Sequence, residues 1–396
     1  MQMRYPLIFT LILASFSQAE EITYNAHIRS ILSDKCIACH GPDSKKREAE
    51  LRLDTFEGAT APLSSDGQLF AIRAGNPAQS EMFKRIDSRD EDDVMPPPHF
   101  HKHITKAERE LLWQWVEQGA KYEAHWAYTP IEKPAPAATA ENPIDAFILA
   151  QLQEKKIKPS PRAQPAQLLR RLSLDLTGLP PTPAEVVAFE KAAAQDFETA
   201  FDSEITRLLE SPRFGERMAV PWLDIVRFSD TVGYHGDQNV RIFPYRDYVI
   251  KAFNENKPFN EFITEQLAGD LLKNPTAEQL VATGFNRLGM MSREGGIQPK
   301  EYIAKYAADR VRAVGQAFLG QTTGCAECHD HKFDPISAKD FYSLAAFFDD
   351  VLEWGVYQNY LPLYKGLENH NNDSPFPPEL VVKSDSQLAQ IQLLHE

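Results

Sequence analysis

The sequence predicts a mainly α protein: a small helical domain, a proline-rich linker and a larger, mainly helical domain. Three observations carry that prediction. Apolar residues recur at three- and four-residue spacing through most of the chain, helix-start signals stand ahead of those runs, and strand-like alternation is scarce. At 396 residues two or three domains are expected. A content of 43% hydrophobic and 25% charged residues lets each bury a core. The expected divisions are 1–19 as a leader, 20–125 as the small domain and 126–143 as the linker, then 144–355 as the larger domain and 356–396 as a C-terminal extension.

The leader begins with a short basic segment ending at Arg4, continues with about 12 mostly apolar residues, and then offers Ser17-Gln18-Ala19. That is the small-x-small pattern a signal peptidase accepts. The apolar run is shorter than the roughly 18–20 residues a bilayer span needs, so a cleaved export signal is expected over an anchor, with Glu20 as the first mature residue. No cysteine follows the run to carry a lipid, and no later segment is long and apolar enough to span. The expected compartment is the periplasm or the cell surface. A net charge of −14 argues against nucleic acid and anionic membrane surfaces as partners and suits docking to a basic partner protein.

In the small domain, residues 22–32 read as a short amphipathic helix with Asn25 as N-cap and Ile28, Ile31 and Leu32 on one face. Lys45-Lys46-Arg47 lies in a polar loop, Gly75-Asn76-Pro77 is a turn, and 80–86 is helical. Thr105-Lys106-Ala107-Glu108 is a capping box, opening a helix through Leu111, Leu112, Trp115 and Val116 that stops at Gly119. Pro130, Pro134, Pro136 and Pro143 mark a semi-rigid linker.

Beyond it, Ile144, Phe147, Ile148 and Leu152 form one helical face, and 168–176 gives a second apolar stretch. After the Gly178-Leu179-Pro180-Pro181 turn, Thr182-Pro183-Ala184-Glu185 combines a capping box with proline at the first helical position. Helices are further expected over 201–209, 217–228, 245–253 and 262–272.

Cysteine use is the most informative count. All four cysteines lie in Cys36-Ile37-Ala38-Cys39-His40 and Cys325-Ala326-Glu327-Cys328-His329. Two cysteines three positions apart can add to the two vinyl groups of one haem, and the histidine that follows then ligates its iron. A single four-cysteine zinc site is the weaker reading, because the pairs lie about 290 residues apart. A thioredoxin-like motif is weaker too, because neither pair follows a strand. Two covalently bound haem c groups are therefore expected, on Cys36 and Cys39 with His40 as iron ligand, and on Cys325 and Cys328 with His329.

Met95 stands between an acidic run and Pro96-Pro97-Pro98, where a core role is rare and a rigid loop can hold a thioether on the second face of an iron. It is the expected distal ligand of haem 1, with His99, His101 and His103 as competitors. A helix before the motif, a Met-Pro loop and a closing helix resemble the small all-helical cytochrome c domain. Met/His ligation implies a raised potential and electron transfer.

Haem 2 has no legible distal ligand. Met290, Met291 and His235 are upstream candidates; without one of them the iron is five-coordinate and open to a substrate or peroxide. His331 and Asp330 are catalytic candidates as general acid or base. The blander and favoured reading has Asp334 capping or pairing and His331 bonding a propionate or a backbone carbonyl. For Arg227-Phe228-Ser229-Asp230 and Asp309-Arg310, ion pairs are the first reading and propionate or substrate contacts the sharper one.

Longer motifs run through the chain: Asn142-Pro143-Ile144-Asp145, Leu174-Asp175-Leu176-Thr177-Gly178-Leu179-Pro180-Pro181, Arg246-Asp247-Tyr248-Val249-Ile250 and Glu265-Gln266-Leu267-Ala268-Gly269-Asp270. With Gly324 through Pro335 around the second motif, they resemble the planctomycete-type cytochrome family. In that family a cytochrome c domain precedes a larger CxxCH-bearing domain of unknown function. The resemblance implies haem and an exported redox role with no settled reaction. It also implies a further C-terminal domain, so a chain ending in what reads as the start of a helix is expected to be a fragment or a shortened relative.

Three functions fit. The leading one is an exported dihaem cytochrome that passes electrons to a redox partner protein. The second is a dihaem redox enzyme, peroxidase-like or oxidising an organic substrate such as a sugar, with haem 2 open. The third is a glycan-associated binding or scaffold module in which haem is structural. Of the leader, a direct check is N-terminal sequencing of the exported chain, which should begin at Glu20; a blocked or uncleaved Met1 would refute the signal.

Overall fold

The computed structural model describes residues 22–135, 142–234, 239–292, 298–351, 380–383 and 385–395, with 140 and 237 as single residues. Its regular structure is helical, and strand-like pairing among the described residues is confined to isolated bridges. The chain divides into two compact units. One is Met1–Glu132 with Asp330–Pro335; the other is Lys133–His329 with Ile336–Glu396. The expected leader lies outside the described residues.

In the first unit a π-helical turn, Tyr24–Ile28, runs into α1 (Arg29–Lys35) and the one-turn α2 (Ile37–His40). Then come α3 (Phe56–Thr60), α4 (Glu81–Ile86) and α5 (Lys106–Glu117). Ile28, Ile31 and Leu32 are buried with Ile72, Phe83, Leu112, Trp115 and Val116, so the stripe expected from the spacing faces the core. Asn25 is not a cap: its Oδ1 accepts from Arg29 Nε at 2.8 Å and its Nδ2 donates to the Ala124 carbonyl at 2.9 Å. It lies inside the first turn, with Thr23 at the cap position, and its side chain is taken by Arg29 one turn on and by the distant Ala124 carbonyl instead of a backbone N–H. The Thr105–Glu108 capping box forms in both directions, and Gly119, at φ +103°, follows the helix end.

The second unit opens with α6 (Pro143–Glu154), α7 (Pro165–Thr177), α8 (Pro183–Ala193) and α9 (Phe197–Leu209). Next are α10 (Pro212–Ile225), α11 (Phe243–Asn254), α12 (Phe259–Ala268) and α13 (Ala277–Ala282). The 20-residue α14 (Pro299–Phe318), α15 (Ala338–Ala346) and α16 (Asp385–His395) complete the order. Proline occupies the first turn of α6, α7, α8, α10, α11 and α14. There its missing N–H costs nothing and its fixed φ suits the helix, so a proline-rich chain remains helical. The face expected on α6 does not bury: Ile144, Phe147 and Ile148 are exposed, and Ala146 is the buried residue of that helix. The helix expected over 262–272 ends at Ala268 in a 3-10 turn, Gly269–Leu271.

A buried polar pair of networks joins α11 to α12. Tyr245 OH donates to Gln266 Oε1 at 2.5 Å, and Gln266 Nε2 donates to the Phe262 carbonyl at 2.9 Å. One residue earlier on α12, Glu265 accepts from Tyr248 OH at 2.7 Å, Lys257 Nζ at 2.6 Å and Gln279 Nε2 at 3.2 Å. Burial works to raise the Glu265 carboxyl, but those three donors hold it below its ordinary value. A depressed carboxyl contributes stability above the ordinary carboxylate range and loses it as pH falls through the folded-state value. Urea unfolding of the second unit should therefore weaken in acid, and Glu265→Gln should flatten that acid limb. Glu265→Ala, which strands Lys257, should cost about 3–5 kcal/mol at neutral pH.

Candidate haem sites

The first attachment site is built by the break between α1 and α2. The Cys36 N–H still bonds to the Leu32 carbonyl at 2.8 Å, but its φ of −127° leaves the helix, and α2 restarts one residue later. The Cys36 carbonyl then accepts both the Cys39 N–H at 3.1 Å and the His40 N–H at 2.9 Å. That single turn closes the chain between Cys36 and Cys39 and sets His40 directly after it. The chain after it is pinned back onto it: Glu48 N–H to the Cys39 carbonyl at 2.8 Å, and Leu53 N–H to the His40 carbonyl at 2.8 Å.

Two residues of this turn suit a haem. Burial pushes the Cys36 thiol up to about 12, so the sulfur is uncharged, as a thioether is. Burial also lowers the His40 imidazole, keeping it in the neutral form that ligates metal. His40 Nδ1 is enclosed and has no hydrogen-bond partner. A buried ring nitrogen left open costs about 1–3 kcal/mol, and ligation of the ring with reorientation of its second nitrogen relieves it. Sequence reasoning passed over Gly41. A Cβ there would lie 2.3 Å from the Ile37 carbonyl oxygen, so only glycine lets the chain leave the turn at this point.

Met95 lies on the loop after α4, half-buried, with its N–H bonded to the Arg85 carbonyl at 3.0 Å. His99, His101 and His103 on the same loop are exposed. Of the four ligand candidates there, Met95 is thus the one set back from solvent.

The second site repeats the first turn in looser form. A 3-10 turn, Gly324–Glu327, carries Cys325, whose carbonyl accepts Cys328 N–H at 3.3 Å and His329 N–H at 3.4 Å. Ala326 is fully buried against Ala308 and Val311 of α14 and Phe341 of α15. Glu327 pairs with Arg312, and Tyr342 OH donates to the Glu327 carbonyl at 2.8 Å. Both cysteines are exposed. Of the upstream ligand candidates, Met290 is exposed, Met291 is buried against Val232 and Tyr306, and His235 lies outside the described residues.

His331, in the segment that belongs with the first unit, is buried, and its Nδ1 accepts the N–H groups of Phe333 at 3.3 Å and Asp334 at 2.9 Å. The Asp334 carboxylate lies 3.3 Å from the same nitrogen. In this geometry His331 organises a turn, and Asp334 receives His125 Nε2 at 3.0 Å. The same segment's Lys332 lies 3.5 Å from Asp34. Arg227 pairs with Asp309.

A histidine-terminated CxxCH turn with unpaired cysteines in a helical domain defines a c-type cytochrome. Residues 36–99 match the family model described as planctomycete cytochrome C, and residues 143–353 match PSCyt2, described as a protein of unknown function (DUF1549). The chain belongs to this planctomycete-type cytochrome family. No curated protein and no solved structure matches it.

Gly41→Ala should prevent covalent loading at Cys36 and Cys39 while leaving the second motif loaded. Haem staining of the separated tryptic peptides reads both sites at once.

Proposed function

We propose that the chain is an exported dihaem c-type cytochrome whose work is electron transfer, exchanging electrons with a partner protein through the first site. The observation that carries this reading is the shared turn: every cysteine is unpaired, each stands in a CxxCH segment, and in both segments one carbonyl accepts the same two N–H groups. Cys36 and Cys39 would tether one haem, with His40 and Met95 as its axial ligands; Cys325, Cys328 and His329 would hold the second. When bound, each haem supplies a one-electron iron couple.

The protein's own residues account for the rest. Cys36 packs against the apolar core formed by α1 and α5, and water excluded from an iron site would favour its less charged state. His40 is half-buried, and burial lowers its imidazole toward the neutral form that a ligand bond needs. Met95 is held by its loop's backbone and not by an exposed side chain free to swing. A cytochrome that exchanges electrons needs this kind of fixed ligand set, because a site that reorganises little transfers quickly.

The second site favours the enzymatic alternative only in one respect: the upstream methionines are divided between the surface and a packed core, and neither belongs to a ligand loop like that of Met95. An open iron binds carbon monoxide in its ferrous form and a six-coordinate His/Met iron does not. The electron-transfer reading predicts no carbon monoxide shift from the first haem, a two-haem mass for the intact chain, and loss of the thioether–ferric charge-transfer band in Met95→Ala. Survival of that band in Met95→Ala would move the distal ligand elsewhere. Carbon monoxide binding confined to the second haem would favour the enzyme.

A further inference from the structure

The loop that carries Met95 leaves the end of α4, and that end is fastened to α5. Asp87, the residue after α4, is chelated by Arg109 of α5. Nε donates to Oδ1 at 2.7 Å and Nη2 to Oδ2 at 2.6 Å. The same guanidinium lies against two aromatic rings, its carbon 5.1 Å from the centre of Trp113 and 5.6 Å from that of Phe83. Phe83 is buried in the core of the unit and packs on Trp113, with ring centres 5.0 Å apart.

A surface ion pair usually contributes little, because two mobile side chains must be held still for it. This one differs in two respects. One planar group takes both carboxylate oxygens, and aromatic rings already hold the plane, so little rotamer freedom is left for the bond to remove. From Asp87 the link to Met95 is short. Two residues back, the Arg85 carbonyl accepts the Met95 N–H at 3.0 Å and the Ser88 N–H at 3.3 Å. Carbonyls in the last turn of a helix lack partners within it, so this one is available to the loop. Arg85 Nη1 also donates to Asp93 at 3.0 Å. In between, the loop closes on itself, with the Val94 N–H on the Asp90 carbonyl at 2.9 Å and the Asp92 N–H on Asp90 Oδ1 at 3.0 Å.

We propose that Arg109 is the positioning residue for the distal ligand of the first haem. By chelating Asp87 it fixes the end of α4, and through the Arg85 carbonyl the end of α4 fixes the backbone of Met95. This role rests on Met95 being that ligand; what it adds is the clamp that sets how often the loop opens. A soluble base such as imidazole can replace a thioether on iron only while the loop is open. Its apparent affinity therefore scales with the open fraction. Lysine at 109 keeps the charge but loses the second bond and the plane against the rings, so the two cations are not equivalent here.

The test uses the full chain with its haems and imidazole as the probe, read by loss of the thioether–ferric charge-transfer band that Met95→Ala must abolish. Arg109→Lys and Asp87→Asn should each raise the imidazole affinity about tenfold, and the double variant should do no more, as expected of partners in one interaction. Arg213→Lys, on an exposed pair with Glu216, is the control, and far-UV circular dichroism checks that each variant folds. Amide exchange is the second readout. Met95 should exchange about tenfold faster in Arg109→Lys, while Ile72, bonded to the Ala59 carbonyl at 3.0 Å, keeps its rate. If Met95→Ala keeps the band, the ligand reading itself fails and takes the positioning role with it. If that band is lost but folded Arg109→Lys changes neither imidazole affinity nor Met95 exchange, the positioning role alone is overturned. Equal acceleration at Met95 and Ile72 overturns it too, because Arg109 then stabilises the whole unit and not the loop.

Discussion

One backbone acceptor organises each CxxCH turn. The Cys36 carbonyl takes the N–H groups of Cys39 and His40, and the Cys325 carbonyl takes those of Cys328 and His329. The backbone of both cysteines and of the following histidine is held once that turn closes. The surroundings serve to keep it closed. In the first unit α1 delivers the chain to Cys36, Leu53 ties down the His40 carbonyl, and Gly41 lets the chain escape. In the second, the fully buried Ala326 plugs the turn into the surface of α14.

The two turns differ in what surrounds them. Cys36 packs against the core of its unit, whereas Cys325 and Cys328 are both exposed. The first environment suppresses charge, raising the thiol and lowering the imidazole by the same desolvation. The second relies on an outer frame, with the Arg312–Glu327 pair and the Tyr342 hydroxyl fixing the backbone from the side. An ion pair exposed in this way contributes little energy, so the apolar contact of Ala326 carries most of the positioning.

Local chemistry was legible in the sequence and tertiary competition was not. The Thr105 and Thr182 capping boxes, the prolines at helix starts and the CxxCH turns depend on residues within four positions of one another, and each forms as its pattern demands. Asn25 also has a cap-like pattern, but it stands inside the turn, and the distant Ala124 carbonyl claims its amide nitrogen. The apolar residues of α6 have the right period, yet a period says nothing about whether a partner surface exists, and Ile144 and Ile148 stay exposed. Met95 could be picked from its proline loop, while the burial that separates it from His99, His101 and His103 needed coordinates. Arg227 and Asp309, 82 residues apart, were each readable as half of an ion pair and not as partners.

α14 is the element on which the chemistry of the second unit converges. Successive residues of a helix point about 100° apart, so Ala308 and Val311 can bury the second turn while Asp309 pairs with Arg227 and Arg310 reaches the Asn286 carbonyl. Neither set can move without the other, because between them the helix contains no proline or chain break. Arg312 extends the first set by pairing with Glu327, and Arg310 anchors the second through the Asn286 carbonyl.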